Sequence, residues 1–107
     1  MLVSAGFDGH YTDPVGELAL SMQGYARIFS KILSLTSQLC SGKLVATLEG
    51  GYSQNFLGRI ATAAIARMAD VPYSVHDTSP VAQAKVRKRA EQVINSVRRI
   101  QSAFWQL

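Results

Sequence analysis

The sequence predicts an α/β fold in which a small parallel β-sheet packs against helices. Two short apolar runs, at residues 1–7 and 43–48, have the length and composition of buried strands. An amphipathic helical pattern over residues 22–40 separates them. Strand, helix and strand in succession form the right-handed βαβ unit, so the two strands should be parallel and should end at the same edge of the sheet.

Helical periodicity predicts the first two helices. Ser21 is a suitable N-cap for the helix over residues 22–40, and Ser41-Gly42 marks its end. A second helix is predicted over residues 55–69, and Val71-Pro72 stops it. The apolar residues that recur at three- and four-residue steps are Met22, Tyr25, Ala26, Phe29, Ile32, Leu33, Leu39, Leu57, Ile60, Ala61, Ala64, Ile65 and Met68.

Ser79-Pro80 predicts the start of a third helix, because proline is favoured at the first helical position. This helix should run to about Phe104, which divides the chain into a βαβα part over residues 1–78 and a C-terminal helix over residues 79–107. Its apolar seam is too short for a free coiled coil, so we expect it to pack on the rest of the domain. The seam consists of Val86, Ala90, Val93, Val97, Ile100 and Phe104.

The composition is that of one folded domain. A hydrophobic fraction of 48% and a charged fraction of 17% in 107 residues exclude a disordered chain. The single cysteine, Cys40, cannot form an internal disulfide; its apolar neighbours predict burial, and a cytoplasmic location is favoured. We expect no signal peptide, and no apolar run approaches the roughly 20 residues of a membrane span, so we expect no membrane partner.

The net charge of +4 is concentrated at one end of the chain. Residues 80–107 hold six basic residues against one acidic residue, whereas residues 1–79 hold five basic and six acidic residues. A basic cluster at residues 85–89 could bind nucleic acid. No aromatic residue is interleaved with the cluster, so a solvated helix face is the favoured interpretation and nucleic acid is not an expected partner.

Two residues with reactive side chains, Asp8 and Tyr52, directly follow the two predicted strands. Ligands in α/β sheets bind outside the carboxyl ends of parallel strands, so these residues could share one site. The Asp8 carboxylate could bind a metal ion or could cap a turn. The Tyr52 hydroxyl could donate to a developing oxyanion, or its ring could pack with the hydroxyl in water. Spacing alone favours the structural role for both residues.

Other polar residues near these positions also have two interpretations. His10 could be a metal ligand or a hydrogen-bonding partner of Asp8 within the loop. Asp13, which precedes Pro14, is most simply a turn former, and Glu49 could be a general base or a turn carboxylate. Gly50-Gly51 alone is only a weak indication of phosphate binding.

The order and spacing of the motifs carry a family resemblance. Residues 4–16, Ser-Ala-Gly-Phe-Asp-Gly-His-Tyr-Thr-Asp-Pro-Val-Gly, precede a helix that begins near Met22-Gln23-Gly24-Tyr25, and Leu-Glu-Gly-Gly-Tyr follows at residues 48–52. This arrangement resembles the C-terminal part of the histone deacetylase superfamily. The similarity is greatest to prokaryotic members, including acetoin-utilisation proteins and acetylpolyamine amidohydrolases.

The resemblance implies a partial three-layer deacetylase fold and a zinc-dependent amide hydrolase. Asp8 corresponds to the second aspartate of the family's Asp/His/Asp zinc site, and Tyr52 to the tyrosine that stabilises the tetrahedral intermediate. Gly50, Gly51 and Val15 correspond to residues that line the acetyl-lysine channel. The implied cofactor is Zn²⁺, a Lewis acid toward the amide carbonyl, and the implied substrate is an acetylated amine such as acetyl-lysine or acetylpolyamine.

The chain also departs from the family pattern. The family's other two zinc ligands, in an Asp-x-His motif, and its paired histidines lie upstream of the region that corresponds to this chain. His10 and His76 are the only histidines here, and neither lies in such a motif. We therefore expect a truncated chain that is inactive alone, and that self-associates or binds a partner with the upstream half. The alternative function is a non-catalytic interaction module or partner subunit derived from the same fold.

Overall fold

A computed structural model describes residues 1–78 and 80–106 and contains two strands and three helices. The elements are β1 (Leu2–Ala5), α1 (Met22–Leu39), β2 (Val45–Leu48), α2 (Leu57–Met68) and α3 (Ala84–Gln101). The predicted α/β class, with a small parallel sheet and helices, is confirmed. The second helix is shorter than predicted, since it begins at Leu57 and ends at Met68.

The two strands pair in parallel, in a register that runs from Leu2 opposite Val45 to Ala5 opposite Leu48. The hydrogen bonding continues past the assigned strands. The Glu49 N–H donates to the Ala5 carbonyl at 3.1 Å, and the Phe7 N–H donates to the Gly50 carbonyl at 2.8 Å. The loops that carry Asp8 and Tyr52 therefore leave the sheet at the same edge.

Helix α1 supplies most of the core that supports this edge. Ser21 is the N-cap as predicted, and its Oγ accepts the Gly24 N–H at 3.0 Å. The ring of Phe7, at the end of β1, meets the ring of Tyr25 edge to face, with 5.2 Å between centroids. Other fully or mostly buried apolar residues are Ala5, Met22, Ala26, Phe29, Ile60, Ala63 and Ala64.

The turn after α1 differs from the sequence prediction in the environment of Cys40. Cys40 is the C-cap of the helix, and its side chain is half-buried instead of buried. The chain then reverses through Ser41 and Gly42, which have φ values of 50° and 77°. Glycine adopts this left-handed conformation without steric cost, so Gly42 marks the point at which the chain turns toward β2.

Helix α3 departs from two predictions. It begins at Ala84 and not at Pro80, and Ser79 lies outside the described residues. None of its residues is buried, so the expected packing of the apolar seam on the rest of the chain is not found. The N-cap, Gln83, makes no side-chain capping bond, and no acidic residue lies in the first turn. Residues 80–83, which were predicted to form the first turn of this helix, therefore lack the contacts that would stabilise a helical turn.

None of the three helices within residues 1–78 and 80–106 combines the length and apolar character that crossing a bilayer requires.

Candidate active site

Asp8 lies just beyond the end of β1, with its carboxylate against the backbone of two glycines. A Cβ atom on Gly6 would lie 2.8 Å from Asp8 Oδ1, and a Cβ atom on Gly50 would lie 2.9 Å from the same oxygen. Any larger residue at either position would displace the carboxylate. The half-buried Asp8 side chain is therefore held at the edge of the sheet next to the segment that leads to Tyr52.

Tyr52 follows a tight turn that requires glycine. Gly51 has a φ of 132°, and a Cβ atom there would lie 2.7 Å from a methyl group of Leu57 and 3.1 Å from the Cβ of Phe7. The turn brings the chain back over the core and leaves the Tyr52 side chain 55% exposed. Tyr52 is therefore not a core residue, although spacing alone favoured a packed ring with its hydroxyl in water.

The Asp13 carboxylate joins the two site loops. Its Oδ1 accepts the N–H groups of Val15 at 2.9 Å and Gly16 at 3.2 Å within its own loop. Its Oδ2 accepts the N–H groups of Tyr52 at 2.7 Å and Ser53 at 3.2 Å from the loop after β2. Asp13 therefore does more than form the predicted turn, because it fixes the backbone of Tyr52.

The environment of Asp13 favours its charged form. Desolvation acts to raise the pKa of this carboxyl, but the backbone N–H groups of Tyr52, Val15, Gly16 and Ser53 together outweigh it. The resulting pKa lies below the ordinary value of 3.8. The folded state therefore stabilises the ionised form of Asp13 relative to the protonated form.

This lowered pKa predicts how the stability of the chain depends on pH. The Asp13 contribution is fully present above the unfolded pKa of 3.8 and is lost as the pH falls through the lower pKa of the folded state. We expect Asp13→Asn to be less stable than the wild type above pH 4, with a smaller further loss on acidification, as measured by urea unfolding. Glu17→Gln, at an exposed carboxylate of the same loop, controls for the change in net charge. Parallel acid profiles for the two variants would contradict the prediction.

His10 is a buried structural residue in this fold. Its side chain is 0% exposed, and both ring nitrogens have partners, Thr12 on one side and Asp77 on the other. The ring also stacks on Phe56, with 5.0 Å between centroids. The hydrogen-bonding interpretation is thus correct in kind, but the acidic partner is Asp77 and not Asp8.

Two more residues of the site region have defined partners. Tyr25, which the helical periodicity identified only as a core residue, has a phenol near Gly9 at the site loop. Burial raises the pKa of Tyr25, and the negative charge of Asp8 adds to the effect. Glu49 accepts the Ser4 hydroxyl at 2.6 Å. Only the three-dimensional structure could reveal the position of the Tyr25 hydroxyl, because the helical pattern fixes the face and not the depth of the side chain.

The described residues fit one position of a zinc site and not the whole site. Asp8 offers a half-buried carboxylate in a cleft between glycines. However, no group of three or more His, Cys, Asp or Glu side chains in residues 1–78 and 80–106 could hold a metal ion. Zinc in proteins normally has three or four protein ligands. The ligand set of these residues is therefore incomplete.

Comparison with known proteins identifies relatives whose similarity to this chain spans both site loops. The Histone deacetylase domain model matches residues 1–68, which include both site loops and α2 as far as its last residue. The chain belongs to the histone deacetylase family. A probable deacetylase of Archaeoglobus fulgidus is 35% identical over 96% of this chain, and the Schizosaccharomyces pombe histone deacetylase clr3 is 30% identical over 98% of it.

A solved structure shows the same relationship. The crystal structure of the HDA15 HD domain matches 97% of this deacetylase-family chain with a TM-score of 0.66 and 32% sequence identity. The match covers 26% of the HDA15 chain, and this chain spans 31% of the Archaeoglobus relative and 14% of clr3. The elements described here therefore correspond to a minor part of each of these longer proteins.

Proposed function

We propose that this chain forms part of the active site of a zinc-dependent deacetylase. The reaction is hydrolysis of an acetylated amine, such as acetyl-lysine or an acetylpolyamine, to the free amine and acetate. The observation that carries the proposal is the Asp13 link, which holds the loop of Asp8 and the loop of Tyr52 together at one edge of the sheet. Membership of the histone deacetylase family supports the same chemistry.

Tyr52 is the proposed catalytic residue of this chain. Its backbone is fixed by Asp13, while its side chain is exposed at the edge where a substrate would bind. A phenol in that position can donate a hydrogen bond to the amide oxygen as negative charge develops on it. One well-placed donor of this kind lowers the activation barrier by about 3 kcal/mol.

Asp8 is the proposed zinc ligand, and the remaining ligands must come from other residues. One carboxylate does not hold zinc tightly, so the isolated chain should bind the metal weakly and should be nearly inactive. Gly50, Gly51 and Val15 are the proposed residues of the substrate channel. The absence of a side chain at Gly50 makes room for the Asp8 carboxylate, and its absence at Gly51 makes room for Leu57 and Phe7. Val15 is 65% exposed in the loop of Asp13. We assign the activity to the cytoplasm, where the lone Cys40 would remain reduced.

We further propose that the partner of this chain is a polypeptide segment with the rest of a deacetylase domain. An apolar groove of about 220 Å³ opens between β2 and α2, where Leu48, Ile65 and Met68 are exposed. Leu2, at the start of β1, is 84% exposed. The matched HDA15 chain includes the counterparts of these elements within a much longer chain, which supplies a candidate to cover them.

The test uses the Archaeoglobus fulgidus deacetylase without the region that this chain matches. We expect that segment to form a 1:1 complex with residues 1–107, to bind zinc and to hydrolyse an acetyl-lysine peptide. Light scattering, metal analysis and an amine-release assay measure these three results. Ile65→Asp, in the exposed part of the groove, should prevent complex formation, whereas Val81→Asp, at a residue 85% exposed outside the groove, should not.

A covalently linked chimera of the same two pieces separates the two proposals. If the chimera hydrolyses the peptide but the separate pieces do not associate, the function is supported and the partner proposal is wrong. A chimera that folds and does not hydrolyse the peptide with zinc present contradicts the deacetylase function and favours a non-catalytic interaction module. A stable dimer of this chain that excludes the Archaeoglobus segment would show self-association in place of the proposed partner.

A further inference from the structure

A buried chain of hydrogen bonds connects the segment after α2 to the loop of Tyr52. Asp77 Oδ2 lies 3.3 Å from His10 Nε2, and His10 Nδ1 lies 2.9 Å from the Thr12 hydroxyl. The Thr12 hydroxyl lies 2.8 Å from the hydroxyl of Ser53, the residue directly after Tyr52. The side chains of His10 and Asp77 are only 0% and 3% exposed, so the bond between them is shielded from water.

One assignment of donors and acceptors is consistent with an ionised Asp77 and with the position of the Thr12 N–H. The Asp77 carboxylate can only accept, so His10 Nε2 carries the proton and donates to it. The Thr12 N–H lies 3.4 Å from His10 Nδ1, which assigns that nitrogen as the acceptor in this tautomer. The Thr12 hydroxyl then donates to Nδ1, and its oxygen accepts the Ser53 hydroxyl proton. In this arrangement Nδ1 shares its one lone pair between the Thr12 hydroxyl at 2.9 Å and the longer Thr12 N–H contact.

The Asp77 end of the network is anchored to a rigid element. Asp77 Oδ2 also accepts the N–H of Met22, the first residue of α1, at 2.6 Å. Met22 is 1% exposed and belongs to the core. Asp77 therefore transmits the position of α1 through His10 and Thr12 to Ser53. At the other end, the N–H groups of Tyr52 and Ser53 are already held by Asp13.

We propose that Asp77 is a positioning residue for Tyr52 that acts through His10, Thr12 and Ser53. The Tyr52 side chain is 55% exposed, so its orientation depends largely on the backbone at Tyr52 and Ser53. Asp13 holds that backbone from one side, and the Asp77 network holds the Ser53 side chain from the other. The proposal rests on the proposed catalytic role of Tyr52. Asp77 lies beyond residues 1–68, the range that the family model matches, so this positioning residue is outside the matched region.

The test is amide hydrogen exchange of the full chain, measured by NMR without zinc or substrate. Asp77→Ala should accelerate exchange of the Tyr52 and Ser53 amides by about tenfold or more, with little change in the middle of α2. Asp77→Asn keeps an acceptor oxygen and should restore slow exchange. His76→Ala, at an exposed neighbouring side chain, should behave as the wild type. The imidazole nitrogen spectrum of His10 should show the Nε2-protonated tautomer in the wild type.

A uniform acceleration in α2 and in the Tyr52 loop would indicate a general loss of stability and would overturn the proposal. Unchanged exchange at Tyr52 and Ser53 would also overturn it. If Asp77→Ala does not fold, Thr12→Val decides, because it breaks the network between His10 and Ser53 while Asp77 remains. Local acceleration in Thr12→Val supports the proposal, and unchanged exchange contradicts it. None of these measurements requires catalysis, so their failure leaves the deacetylase test unaffected.

Discussion

Tyr52→Phe in the linked chimera should lower kcat for an acetyl-lysine peptide by about 10²- to 10³-fold, the usual effect of removing one oxyanion donor. The hydroxyl is proposed to contact the substrate oxygen mainly when charge has developed on it. Its loss should therefore lower kcat and kcat/KM together and leave KM nearly unchanged. Because the ring is 55% exposed, the same change should have little effect on folding or on zinc content.

The control for this experiment is Tyr73→Phe, which removes the hydroxyl of an exposed tyrosine in the segment after α2. Its chimera should retain the wild-type kcat. Steady-state kinetics with metal analysis of each preparation provides the measurement. If Tyr52→Phe and Tyr73→Phe have equal activity, Tyr52 is not the oxyanion donor, whatever the family resemblance implies.

The local sequence was sufficient to predict the framework of the site. Apolar runs of strand length on either side of an amphipathic helix predict a parallel pair, and the observed register brings Ala5 opposite Leu48. The Ser21 cap, a signal within four residues, was also predicted correctly. Features of this kind depend on neighbours in the sequence, so they can be recognised without knowledge of the tertiary structure.

The roles of Asp13 and His10 could not be predicted in this way. Asp13 binds N–H groups of Tyr52 and Ser53, about 40 residues away in the sequence, and His10 binds Asp77 across a still longer separation. A backbone N–H has no residue-specific signal in the sequence. The Asp-Pro pair therefore indicated a turn, which is local, and gave no indication of the link between the two loops.

Helix α3 shows a different limit of sequence reasoning. The seam that includes Val93, Val97 and Ile100 correctly predicted a helix with one apolar face. A periodic seam does not specify which surface covers it, and the described residues of this chain leave all three side chains exposed. The same reasoning applies to the groove beside Ile65. In both cases the sequence predicts an apolar surface, and only a partner or a longer chain can determine what packs on it.

Among the glycine-to-alanine substitutions at the site, Gly16→Ala should lower the stability of the chain most. The new Cβ would lie 2.5 Å from the carbonyl carbon of Asp8 and still closer to its oxygen, so the two ends of the loop that carries Asp8 and Asp13 could not keep their present separation. The neighbouring atoms are backbone atoms and cannot move aside as a flexible side chain could. We expect a loss of about 3 kcal/mol in the free energy of unfolding, measured by urea titration.

Gly58→Ala is the matched control, because a Cβ atom at Gly58 in α2 meets no atom within 4 Å. Replacing this helical glycine should raise stability by about 0.5 kcal/mol. In the chimera, Gly16→Ala should also reduce the zinc content, since the overlap displaces the backbone of Asp8, whereas Gly58→Ala should leave it unchanged. Equal stability of the two variants would mean that the backbone of Asp8 is not packed against Gly16 and that the Asp8 carboxylate is not held in the proposed position.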